Sequence, residues 1–187
     1  MLRRWYPSLV STIAFLALPL SWAVYGKNQQ TQSFAEHDIK AVYVYRLASF
    51  IRWPEGEKNK IAFCTLGNDN TTRSLEALFR QRSARGQFEA VSSLTDAALK
   101  CDLLYLTQDA IEQFNPLPQY KGLLTISDAP STLEEGGMIE LRTLNYRVKP
   151  ALHLENIDNG QLNVSSQLLR IAILVSDLKG NKGGDNE

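Results

Sequence analysis

Asp102-Leu-Leu-Tyr-Leu-Thr107 and Gly122-Leu-Leu-Thr-Ile-Ser127 are short apolar runs, each bounded by turn formers. Apolar residues at almost every position do not suit a strand with one wet face. They suit strands of a parallel sheet covered on both sides. Lys60-Ile-Ala-Phe-Cys-Thr-Leu66 has the same character and ends in a turn at Gly67-Asn-Asp-Asn70. Helical patterns separate the runs. Thr72 to Arg82 is amphipathic, with Leu75, Leu78 and Phe79 inward; Thr95 is the expected N-cap of a short helix through Leu99; Gln108 to Phe114 is another. Gln87 to Val91 is a weaker strand.

The two ends of this core read differently. Upstream, Ser33 and Glu36 form an S-x-x-E capping box, and Ile39, Val42, Tyr43, Leu47 and Phe50 recur at helical spacing. Trp53-Pro54 is expected to stop that helix, because proline pushes its predecessor out of the α region. Downstream, Met138 to Leu144 and Tyr146 to Leu154 predict an antiparallel hairpin turning at Asn145. Val148, Leu152 and Leu154 share its apolar face. Ser165 or Ser166 is expected to cap a closing helix, Gln167 to Val175. The economical fold is one α/β domain over residues 34–178, with a mixed, mostly parallel sheet flanked by helices.

Residues 1–23 read as a cleavable export signal. Arg3 and Arg4 precede an apolar stretch from Leu9 to Leu20, too short for a bilayer, and Ser21-Trp22-Ala23 resembles a cleavage site. Residues 179–187, polar and Gly-rich, read as a disordered tail. The leader carries two bases and no acid. The chain's 20 basic and 20 acidic residues therefore become a net charge of about −2 after cleavage. That argues against nucleic acid, which requires a concentrated basic face.

The chain has two cysteines, Cys64 and Cys101. In an oxidising compartment an even pair is usually a disulfide; two separate buried thiols are the alternative. Neither His37 nor His153 has metal-ligand spacing to them. No nucleophile elbow, P-loop or dinucleotide fingerprint occurs, so no cofactor is expected. Asn68 and Asp69 follow one apolar strand and Ser127 and Asp128 another, where open α/β sheets place ligands. A small-molecule site there is one reading; the strand-to-helix corner chemistry of Asp and Asn is the other. His153 lacks a nucleophile beside it and reads as solvent-facing or hydrogen-bonded. Tyr45 and Trp53 do not fit one helical stripe with their neighbours and are candidate anchors of a partner surface.

Lys40-Ala-Val-Tyr-Val-Tyr-Arg-Leu-Ala-Ser-Phe-Ile-Arg-Trp-Pro54 resembles the opening helix of the YfiR family, K-A-x-Y-x-Y/F-x-x-x-F-x-x-W-P. Leu123-Leu-Thr-Ile-Ser-Asp128 with Gly136-Gly-Met-Ile139, and Asn163-Val-Ser-Ser-Gln-Leu-Leu-Arg-Ile-Ala172, resemble its later segments in order. Cys64 and Cys101 fit its usual cysteine pair. The resemblance implies a non-enzymatic periplasmic domain that binds the periplasmic sensor portion of an inner-membrane diguanylate cyclase and holds it inactive. Capture by an outer-membrane partner, or envelope or redox stress, would release the cyclase and raise cyclic di-GMP and biofilm formation. The sequence leaves a homodimer open. Pro150 and His153 depart from the family's F-x-I-N, and a proline there is expected at a sheet edge or bulge.

Overall fold

Alternation along the apolar runs sorts their side chains onto two covered faces. The computed structural model describes residues 34–56, 58–81 and 86–176. The expected leader and tail, and the Ser33 half of the expected capping box, lie outside the described residues. The strands are β1 (Ile51–Arg52), β2 (Ile61–Leu66), β3 (Gly86–Val91), β4 (Leu103–Leu106), β5 (Leu124–Ser127), β6 (Ile139–Leu144), β7 (Arg147–His153), β8 (Asn163–Val164) and β9 (Ile173–Val175). The helices are α1 (Glu36–Leu47), α2 (Asn70–Gln81), α3 (Leu94–Lys100), α4 (Gln108–Gln113), α5 (Leu154–Asn159) and α6 (Ser166–Ile171).

Seven strands form one sheet in the order β3-β2-β4-β5-β6-β7-β9. From β3 to β6 all neighbours are parallel, β6 and β7 are antiparallel, and β7 and β9 are parallel. Phe63, Leu103, Tyr105, Leu124 and Ile126 cluster on one face with Ala41, Val44 and Leu47 of α1, Leu75 of α2 and Leu168 of α6. Their alternates Cys64, Leu66, Leu104 and Leu106 pack with Leu94 and Ala97 of α3 and Ala110 and Ile111 of α4. A two-residue period inside each run thus fills two cores, which is why the runs read as continuously apolar. A disulfide joins Cys64 of β2 to Cys101 at the end of α3.

Several local expectations are corrected. α1 begins after Ala35, with no side-chain cap. The Glu36 carboxylate accepts from Lys40 and Thr143 instead. The helix ends at Leu47, before Trp53-Pro54, and a 3-10 turn leads into β1, which pairs with β8. Its inward face is Ala41, Val44, Leu47 and Ala48, whereas Ile39 and Val42 are each 37% exposed. Apolar residues surround most of this helix, so spacing alone could not choose the face; the small alanines permit the closest approach. Ser93, not Thr95, caps α3, its Oγ accepting from Asp96 N–H.

The hairpin turns on two residues, Asn145 and Tyr146, both with positive φ. That is the arrangement a tight hairpin of right-handed twist demands. Leu154 is not in the strand but opens α5, a helix the periodicity did not reveal. The closing helix stops at Ile171, and Ile173 and Val175, β-branched, return as β9. Pro150 sits in β7, which is not an edge strand. His153 N–H donates to Met138 O on the β6 side, so alternation turns residue 150 toward β9, whose pairing starts only at Ala151. The missing donor of Pro150 falls where no ladder has yet begun.

Candidate functional site

The sheet order brings two strand-end carboxylates together. Asp69 follows β2 and Asp128 follows β5, with β4 between them. Tyr105, the one aromatic residue of β4, is buried and reaches both. Its hydroxyl lies 2.9 Å from Asp69 Oδ2 and 2.7 Å from Asp128 Oδ1. From above, Lys40 Nζ of α1 donates to Asp128 Oδ2 at 2.9 Å and pairs with Glu36 at 2.7 Å. Asp69 Oδ1 accepts from Thr72 N–H at 2.6 Å, an N-cap bond for α2.

Electrostatics here serve packing. Burial pushes the Tyr105 phenol far above its ordinary range, and the charge of Asp128 adds to it. Burial works against the Lys40 ammonium, but the bonds to Glu36 and Asp128 outweigh it and its pKa rises. Glu36 is lowered by its bonds to Lys40 and Thr143. The remaining proposed ligand residues do not join the cluster. Asn68 is exposed, its Oδ1 accepting from Arg73 at 3.0 Å, and Ser127 is buried, its Oγ accepting from Ala129 N–H. Among the described residues no group of His, Cys, Asp and Glu could hold a metal. His153 is buried and caps α5 with Nδ1 accepting from Asn156 N–H. Lys40 and Tyr105 were not singled out from sequence. The available signal was a hydroxyl inside an aliphatic strand.

A second feature lies at the other end of α1. Residues from α1, the 3-10 turn, β1 and the start of β2 enclose an open groove of about 1190 Å³. Tyr45, Trp53, Ile61 and Phe63 supply its apolar surface, and Arg46, Arg52 and Lys58 are its charged residues. Tyr45 is half-buried and fixed by its ring neighbours: it stacks on Phe63 at 5.7 Å and meets Phe79 edge-on at 5.5 Å. Trp53 is only 6% exposed, and its indole N–H donates to Asp102 O at 3.4 Å. Sequence placed both residues on a partner surface. The fold brings both to one groove, with Trp53 as wall rather than protruding anchor.

No curated protein matches this chain. The crystal structure of a conserved domain protein from Vibrio cholerae O1 biovar eltor str. N16961 is similar in fold, with a TM-score of 0.51 and 11% sequence identity. The similarity covers 76% of this chain and 60% of that chain. Residues 37–173, from α1 to β9, match the family described as YfiR/HmsC-like. The opening helix that builds both the strand-end cluster and the groove falls inside that match, and this chain belongs to the YfiR/HmsC-like family.

Proposed function

We propose that this chain is a non-enzymatic periplasmic regulator that binds and represses the periplasmic sensor portion of an inner-membrane diguanylate cyclase, lowering cyclic di-GMP and biofilm formation. Family membership over residues 37–173 carries the reading. The chemistry of the strand ends supports it. Asp69 and Asp128 are engaged by Tyr105, Lys40 and the Thr72 backbone, so they act as internal partners rather than as groups presented to substrate. The export signal over residues 1–23 would deliver the chain to the compartment where its partner's sensor lies. No helix among the described residues is long and apolar enough to cross a membrane.

In this reading the partner surface includes the Tyr45 and Trp53 groove, and an outer-membrane protein can sequester the regulator. Deleting the gene is expected to raise cyclic di-GMP, and an unchanged level in the deletion strain counts against repression. The mature chain should co-purify with the cyclase's periplasmic domain. Redox control would rest on Cys64 and Cys101, whose bridge spans 37 residues of sequence. In the chain-entropy view that bridge is worth about 3–4 kcal/mol. Equal partner binding by Cys64→Ala/Cys101→Ala, at equal folded fraction, would remove the redox element and leave the repressor reading intact.

A further inference from the structure

We infer that the groove lined by Tyr45 receives an acidic, extended segment of a protein partner, read by Arg46 and Arg52. The inference rests on the protein-partner reading above and adds the chemistry of the partner.

Charge carries it first. Among the described residues, three cations line the groove, Arg46, Arg52 and Lys58, and no acid does. The three differ in what they already hold. Lys58 is paired with Asp102 at 2.5 Å and with Glu55 at 3.5 Å, and those bonds raise its pKa despite burial. The side chains of Arg46 and Arg52 are exposed and have no hydrogen bond or ion pair among the described residues. The chain as a whole has no excess of basic residues, so this local imbalance is a property of the groove. Guanidinium groups are weakly hydrated forks that match carboxylates two bonds at a time.

Size and shape choose among anions. Pockets for small ligands run to about 300–1,000 Å³ and enclose most of the ligand. This groove holds about 1190 Å³ and is open to solvent. It suits a length of chain better than a metabolite. Nucleic acid is held by many phosphate contacts made together, and two free cations fall well short of such a face. The floor completes the match. Tyr45 is held by Phe63 and Phe79, so an apolar side chain of the segment can pack on a surface that loses little freedom on binding.

The test uses the mature chain and a fluorescein-labelled peptide, Gly-Asp-Glu-Phe-Asp-Glu-Gly, in fluorescence anisotropy. Controls replace its acids by amides or by lysines. The acidic peptide should bind at least about tenfold more tightly than the amide version, and binding should weaken as salt rises. Arg46→Glu/Arg52→Glu should lose at least about tenfold for the acidic peptide and gain preference for the lysine peptide. Both positions are exposed, so an unchanged melting temperature certifies the fold; Arg46→Lys/Arg52→Lys should retain part of the affinity. Equal binding of acidic and amide peptides, equal binding by the charge-reversed variant, or displacement by succinate at peptide-like concentrations would overturn the inference. The same variant in co-purification with the cyclase's periplasmic domain separates the two readings. Capture of wild type and variant alike removes the groove and leaves repression standing. Capture of neither, with the acidic peptide still preferring wild type, removes that cyclase as partner and leaves the groove.

Discussion

One helix carries a cation near each end, and the two are used in opposite ways. Lys40, in the second turn of α1, points into the strand-end cluster and is claimed by Glu36 and Asp128. Arg46, near its last turn, is exposed with no partner among the described residues, and Arg52 shares its groove from β1. A charge withdrawn from water must be paired, and once paired it holds the helix to the sheet. A charge left in water contributes little to stability and remains available to a partner. The contrast separates a structural site from the proposed interaction surface within a dozen residues of sequence.

The largest expected effect tests the inward end. Asp128→Ala removes one of the two ion-pair partners of Lys40 and one of the two carboxylates at the Tyr105 hydroxyl in a single change. It should cost about 2–3 kcal/mol, because a part-buried ammonium then keeps only the more exposed Glu36 carboxylate and the buried Tyr105 hydroxyl loses a partner. For a domain of this size that is a fall of roughly 5–10 °C in melting temperature. A loss below about 0.5 kcal/mol would show that Lys40 is as free as Arg46, and the contrast would fail.

Tyr105→Phe should follow, at about 1–2 kcal/mol, since two carboxylates then face one another without the hydroxyl between them. Urea unfolding at constant m-value measures it. A stabilised variant would mean that Asp69 and Asp128 do not depend on the phenol.

What could be read in advance divides along the same line. The parallel core was legible because each run obeys a local rule, apolar residues on both faces between turn formers. Asp69 and Asp128 were legible as strand-end residues for a similar reason. Their meeting was not, because it depends on β4 lying between β2 and β5, and on Lys40 bonding across 88 residues of sequence. The face of α1 was misread because Ile39 and Val42 are as apolar as the buried Val44; tertiary packing against small Ala41 and Ala48 decided it. Strand β9 was hidden inside an apparent helix, since Leu168 and Leu169 continue smoothly into Ala172 and Val175 by helical spacing. The groove was half legible. Tyr45 and Trp53 stood out as aromatics that no single stripe could hold, but the arginines beside them carried no signal until the lining showed which cations were already spent.

The pH dependence sharpens the contrast from the inward side. Tyr105 and Lys40 are both raised above their ordinary values of 10.0 and 10.5. A group whose pKa is raised by folding contributes stability that is complete below its unfolded value and is lost as pH climbs through the folded one. The melting temperature should therefore hold from neutral pH to about 9 and decline above about 10. Tyr105→Phe should remove the phenol's share of that decline, whereas Arg46→Ala should leave the curve unaltered. A wild-type curve flat beyond pH 11 would contradict both the burial of Tyr105 and the pairing of Lys40.

The smallest expected change in stability belongs to the outward end. Arg46→Ala and Arg52→Ala each remove an exposed side chain that no described group holds, so unfolding free energy should move by no more than about 0.5 kcal/mol. Such a small number carries information only because a large one is expected six residues away in the same helix, when Lys40 loses Asp128. If Arg46→Ala were to cost 2 kcal/mol or more, the guanidinium would be doing structural duty that its surroundings do not display, and it could not be free for an acidic partner. If stability holds while the acidic peptide is lost, the two ends of α1 are assigned by one pair of measurements: the lysine keeps the fold, and the arginine meets the acidic partner.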